Sequence, residues 1–134
     1  MKKKNNAPLV SIIINCYNGE KYLKKTINSA LNQTYKKIEI VFWDNNSVDK
    51  SKDIILSFND KRIRYFNSKK YLKLYEARNE AIKISKGKYI SFLDVDDWWV
   101  PKKIEEQVKI IEKKQLDLVY SNYYIFNNKK KIKK

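Results

Sequence analysis

The chain has 134 residues and 43% hydrophobic content, enough for one folded domain that buries about two-thirds of the surface its unfolded chain exposes. Its 30 Lys and Arg against 15 Asp and Glu give a formal charge of +15, which favours anionic partners: nucleic acid, a membrane surface or phosphorylated small molecules. One cysteine (Cys16) and no histidine exclude an internal disulfide, Ser-His or Cys-His machinery and any His metal site, and they fit a reducing compartment.

Residues 1–7 form a basic lead-in, with Lys2, Lys3 and Lys4 as a solvated run. Pro8 then precedes Leu9 to Ile14, a β-branched run that reads as a strand buried on both faces, as in a parallel sheet. This longest apolar run is too short for a membrane span or a signal-peptide core. Asn15 to Gly19 break it. Glu20 to Asn32 is predicted helical, with Leu23, Ile27, Ala30 and Leu31 on one face. Gln33 to Lys36 is a turn.

Ile38 to Trp43 is a second strand ending in Asp44-Asn45-Asn46-Ser47, residues that favour turns and helix caps. Ser47 or Asp49 is expected to cap a helix over Lys50 to Phe58. Arg62 to Phe66 alternates as a third, more exposed strand. Ser68 to Lys73 is a basic loop. Leu74 to Ser85 is a helix with Leu74, Ala77, Ala81 and Ile82 or Ile84 inward, and Gly87 supplies a C-cap pattern. Lys88 to Leu93 is a fourth strand delivering Asp94, Asp96 and Asp97. Pro101 opens a helix to Lys114. Asp117 to Ser121 begins a fifth strand running as far as Phe126. Residues 127–134 are a lysine-rich tail.

The order β-α-β-α-β-α-β-α-β predicts an α/β fold, a mostly parallel sheet flanked by helices. Ligands in such sheets bind beyond the carboxyl ends of the strands, where three polar turns converge: Asn15 to Gly19, Asp44 to Ser47 and Asp94 to Asp97. No G-x-G-x-x-G or P-loop occurs, and Gly19 and Gly87 are the only glycines. A hard cation on carboxylates, Mn2+ or Mg2+, is the expected way to hold phosphate, with Arg78 as a fixed positive charge. The plainer readings are a solvated acidic turn and a solvent-facing helix Arg.

Pro8 to Asn18, Leu31 to Tyr35, Trp43 to Asp49, Ala77-Arg78-Asn79 and Gly87 to Asp97 occur in order. Together they resemble the family 2 glycosyltransferases, of GT-A, Rossmann-like nucleotide-diphospho-sugar transferase fold. The resemblance implies residues 8–126 as a donor-binding domain for a nucleotide-sugar, most often a UDP-sugar. It implies a nucleoside held by Asn15, Tyr17, Asp44 and Asn45, approached by Arg78. It implies a D-x-D of Asp94-Val95-Asp96, with Asp94 at ribose or metal-bound water, Asp96 coordinating Mn2+ or Mg2+, and Asp97 in support. Tyr17 has packing as an alternative role, and Trp98 and Trp99 either line a sugar pocket or pack.

Two departures stand out. Asn45 replaces the usual second acidic residue of its turn, and Lys69 to Lys73 replaces an N-x-G-like loop. The family's domain also continues past the fifth strand with the acceptor site, catalytic base and often a His. The chain thus reads as a truncated donor-binding portion with an incomplete second half and no residue nominated as base.

The implied function is inverting, metal-dependent sugar transfer to a glycan or lipid-linked acceptor in cell-surface polysaccharide synthesis. A non-catalytic nucleotide-sugar-binding fragment is the alternative, and a basic nucleic-acid-binding module a remote one, with no nucleic acid expected. Localisation is expected to be cytoplasmic, with the lysines offering peripheral contact at the anionic inner face of the cell membrane.

Overall fold

Strand β1 (Val10–Cys16) organises the sheet. Its period of two sends Val10, Ile12, Ile14 and Cys16 to one face and Ser11, Ile13 and Asn15 to the other. The computed structural model describes residues 7–127 and 130–133. Beside β1 lie β2 (Ile38–Asp44), then β3 (Ile63–Asn67) at one edge and β4 (Tyr89–Phe92) at the other. All are parallel, in the order β3-β2-β1-β4. Val10 faces Ile38 on one side and Tyr89 on the other, and Ile13 faces Phe92.

Helices α1 (Glu20–Leu31), α2 (Ser51–Ser57) and α4 (Lys103–Lys114) cover the first face. Leu23, Ile27, Ala30, Ile55 and Ile104 pack there against Ile12, Ile14, Ile40 and Phe42, all 2% exposed or less. Removing an Ile side chain from such a site costs roughly 2–5 kcal/mol. Helix α3 (Leu74–Lys83) covers the second face, where Ala81 meets Ile13 and Val41 with Trp43, Phe66 and Ile84 around them. Leu74, expected inward, faces solvent; of the Ile82 and Ile84 alternatives it is Ile84 that packs inward, beside the expected Ala77 and Ala81. Alanines let α3 lie close to the sheet.

A polar hub sits on that second face, built around Glu39 of β2. Ser11 Oγ donates to Glu39 at 2.5 Å and accepts the Gly87 N–H at 2.8 Å. Glu39 also accepts from the Lys86 N–H at 2.6 Å and from Arg64 at 2.7 Å. Burial pushes the Glu39 carboxyl up, but these donors outweigh burial and hold it below the usual range. A carboxyl depressed on folding stabilises above its unfolded value near ~4.3, and that contribution is lost as pH falls through the folded value. Glu39→Ala should therefore cost roughly 2–4 kcal/mol at neutral pH, read from urea midpoints. The gap to wild type should shrink in acid; an equal gap at both pH values would refute the hub's ionic character.

Two expectations about helix ends are corrected. Gly87 does not cap α3 in a left-handed turn: α3 ends at Lys83 with Ile84 as cap, and no glycine has positive φ. Gly87 is small because the chain runs against β1 there. Pro101 sits in a turn just before α4, its carbonyl accepting the Thr34 N–H at 2.9 Å.

The fifth strand does not join the sheet. Residues 117–123 make no ladder, and Leu118 and Tyr120 are exposed. The β-prone segment instead finds a local partner: β5 (Tyr124–Asn127) pairs antiparallel with β6 (Lys130–Lys133), inside the lysine run read as a tail. Strand formation follows the available partner more than the sequence preference. The basic residues 1–6 lie outside the described residues, as do 128, 129 and 134. Among the described residues, no helix is long and apolar enough to cross a membrane.

Candidate functional site

The strand order reverses at β1, with β2 on one side and β4 on the other, so a crevice opens beyond the carboxyl ends of β1 and β4. A cleft of about 430 Å³ lies there. Asn15 to Gly19 form its floor, Asp94 to Asp96 one wall, and Tyr71, Leu74 and Ala77 another, with Asn45 between.

The loops after β1 and β2 are laced together. Asn18 and Asn46 adopt left-handed φ of 52° and 65°, a conformation Asn tolerates. The Asn18 N–H donates to Ser47 Oγ at 3.0 Å, and the Val48 N–H donates to Asn18 Oδ1 at 2.9 Å. The Glu20 N–H donates to Asp49, and the Lys50 N–H donates to Glu20, both at 2.9 Å. Each carboxylate thus satisfies a free donor at the other helix's start. Asp49, an expected cap, also accepts the Ser51 N–H at 2.9 Å. Residue Lys50 occupies the N-cap position itself.

The acidic turn is anchored from α1 by residues that sequence reasoning passed over. Thr26 Oγ1 lies 2.7 Å from the Val95 carbonyl and 2.8 Å from the Asp97 carbonyl, sharing its one proton between them. Ser29 Oγ accepts the Trp99 N–H at 3.2 Å. Gln33, read as a turn residue, is fully buried: Nε2 donates to the Val100 carbonyl at 2.8 Å and Oε1 accepts the Ile104 N–H at 3.0 Å. Gly19 completes the seat, since a methyl group there would lie 2.6 Å from Val95 Cγ2. Polar residues at positions 26 and 29 of an otherwise amphipathic helix were the available signal.

The residues singled out earlier divide by location. Asn15, Tyr17, Asn45, Asp94 and Asp96 line the cleft. Asp44 does not. It is 2% exposed and accepts the Ser47 N–H at 2.8 Å and the Tyr65 hydroxyl at 2.9 Å. Burial and that hydrogen bond push the Tyr65 phenol far above its ordinary value. Asp44 therefore shapes the loop from beneath. Arg78 reaches the cleft rim through Asp94, paired at 2.8 Å, with its guanidinium 5.2 Å from the Phe92 ring. Asn15 Nδ2 is buried without a hydrogen-bond partner among the described residues, a donor held ready beside the cleft. Tyr17 is half exposed and meets Tyr71 edge to face, centroids 4.8 Å apart.

Asp96 is exposed and its carboxylate has no partner among the described residues. Asp97 is pushed above its ordinary value by partial burial and by the charges of Asp96 and Asp94, an arrangement a cation would relieve. No group of three or more protein ligands is assembled among the described residues. Two carboxylates completed by substrate phosphate suit Mn2+ or Mg2+, which commonly keep few protein ligands, so the donor set fits. Trp98 and Trp99 pack rather than line the cleft. Trp98 carries Lys25 at 3.0 Å and Phe126 at 5.5 Å, while Trp99 lies against the core beside Lys103.

Residues 11–134 match the family model described as glycosyl transferase family 2. The chain is 47% identical over 117 residues to the Escherichia coli UDP-Glc:alpha-D-GlcNAc-diphosphoundecaprenol beta-1,3-glucosyltransferase WfaP, covering 87% of this chain and 47% of that protein. It is 38% identical over 120 residues to WfgD of the same organism and the same described activity, covering 90% of this chain and 47% of that protein. The chain thus spans about half the length of these relatives. The residue 1–349 portion of S. aureus TarS superposes with a TM-score of 0.74 at 25% identity, over 78% of this chain and 32% of that one. The parallel sheet flanked by helices is of GT-A type, and the chain belongs to glycosyl transferase family 2.

Proposed function

We propose that the cleft holds a UDP-sugar, and that the protein transfers the sugar, with inversion, to a lipid-linked glycan in cell-surface polysaccharide synthesis. The observation that carries this reading is the pair of carboxylates beyond β4. Asp94 is oriented by Arg78, and Asp96 has no side-chain partner among the described residues, beside a cleft lined by Tyr17. WfaP and WfgD, by their names, use UDP-Glc and a diphosphoundecaprenol-linked GlcNAc. Their similarity to this chain supports the same donor and acceptor classes here.

In this reading residues 8–126 form the donor-binding unit. Tyr17 stacks on the base, and the Asn15 amide donates toward the nucleoside. Asp94 contacts ribose or metal-bound water, Asp96 is the main ligand of Mn2+ or Mg2+, and Asp97 supports the turn. Asp94 and Asp96 would hold a divalent cation, which when bound would supply positive charge to offset that of the diphosphate leaving group. Arg78 fixes Asp94 and adds positive charge at the same edge. The chain works on the cytoplasmic side, and its +15 charge draws it to the anionic membrane face where lipid-linked acceptors lie.

The test supplies UDP-glucose, Mn2+ and a GlcNAc-diphospho-lipid in vesicles, anionic or neutral, and follows glucosylated lipid. Product is expected, and faster on anionic vesicles. UDP binding without product would leave the donor site standing and reduce the chain to a donor-binding fragment. Equal rates on both vesicles would refute the membrane contact.

A further inference from the structure

Asn45 is 5% exposed, and its side-chain amide is committed to one backbone residue. Nδ2 donates to the Leu72 carbonyl at 2.7 Å, and Oδ1 accepts the Leu72 N–H at 3.0 Å. A carboxylate could accept that N–H but could not donate to the carbonyl. The Asn45 N–H is itself fixed, donating to the Cys16 carbonyl at 2.7 Å. Ser68 secures the other end of the same loop. Its N–H donates to the Asp44 carbonyl at 2.8 Å, and its Oγ donates to the Lys70 carbonyl at 2.5 Å. The loop is therefore pinned on both sides of Tyr71.

Tyr71 is 57% exposed, so core packing does not hold its ring. The ring stands 4.8 Å from that of Tyr17 at 68°, and both line the cleft. Two rings near a right angle make a corner. A planar base laid flat on one presents its edge to the other, without the pair separating.

We infer that Asn45 is a positioning residue that holds Tyr71 in place as the second wall of an aromatic corner for the nucleotide base. This rests on the nucleotide-sugar reading above. It assigns base affinity at this position to a backbone latch and a second tyrosine, in place of direct contact between residue 45 and the base.

The test is calorimetric titration of UDP in Mn2+ against wild type, Asn45→Asp, Tyr71→Leu, Tyr71→Phe and the double variant Asn45→Asp/Tyr71→Leu. Inorganic pyrophosphate serves as a probe without a base, and thermal melts check folding. Asn45→Asp and Tyr71→Leu should each weaken UDP about tenfold. The double variant should be no weaker than either single one, because both remove the same wall. Tyr71→Phe should bind like wild type, and pyrophosphate affinity should not change. Asn45→Asp binding UDP as tightly as wild type, or tighter, would mean that residue 45 reads the base itself and would overturn the inference. Fully additive losses would do the same. Tyr71 is exposed, so its Leu and Phe variants decide the matter even where Asn45→Asp melts early. Wild type that binds no UDP removes the nucleotide reading and this inference with it; wild type that binds while the variants are unaffected overturns the inference alone.

Discussion

Gly87→Ala should destabilise the fold more than Gly19→Ala. The methyl group added at Gly87 would lie 2.5 Å from the Ser11 backbone nitrogen, 2.6 Å from Ser11 Oγ and 2.8 Å from the Tyr89 carbonyl oxygen. Two of these atoms are backbone of β1 and β4 and cannot swing aside. Ser11 is itself fully buried in the central strand. Relief requires β4 to move off β1. That movement breaks the hydrogen bond from Gly87 to Ser11 and disturbs Glu39 behind it. Overpacking plus a broken buried hydrogen bond should cost roughly 3–5 kcal/mol, lowering the melting midpoint by about 10–20 °C. Far-UV circular dichroism reads this directly, and an unchanged midpoint would contradict the close approach. Gly19→Ala is a useful contrast, because the methyl group there meets the side chains of Val95 and Cys16. It should disturb the acidic turn more than the fold.

The second large effect is expected at Asp96. Its exposed carboxylate has no partner among the described residues, so Asp96→Ala should leave the melting midpoint unchanged. UDP affinity in Mn2+ should nevertheless fall about 10–100-fold, because two carboxylates and a diphosphate leave no spare ligand. Asp94→Ala makes a different kind of change. It also frees Arg78, paired at 2.8 Å, and that guanidinium can turn toward phosphate. Its loss should be smaller and should retain a metal-independent component. Equal, metal-independent losses for both variants would count against a cation at this turn.

Much of this architecture was legible because periodicity and turn chemistry agree. The runs at Leu9 to Ile14 and Ile38 to Trp43 are buried parallel strands, and the polar residues after them do turn at one edge. The motif order pointed to family 2, and the family model bears that out. What was illegible depended on partners distant in sequence. Nothing local marks Gln33 as a buried latch for a loop 67 residues away. Nothing local marks Glu39, in an apolar strand, as the acceptor for Ser11, Arg64 and Lys86. Gly87 follows a helix and looks like a cap, yet its constraint comes from Ser11 across the sheet. Asp44 and Asn45 are adjacent in an acidic-looking turn, but one faces inward to Tyr65 and the other binds Leu72. The segment at Asp117 to Tyr123 has strand composition but no neighbouring strand to pair with among the described residues, and pairing decides the outcome.

The most direct measurement is calorimetric titration of UDP into the wild-type chain, with Mn2+ and then with the metal chelated, repeated on Asp96→Ala. Saturable binding to the wild type that needs the metal is expected, with a large loss on Asp96→Ala and folding intact. Binding that is indifferent to both metal and Asp96, or absent for every nucleoside diphosphate, would contradict that expectation.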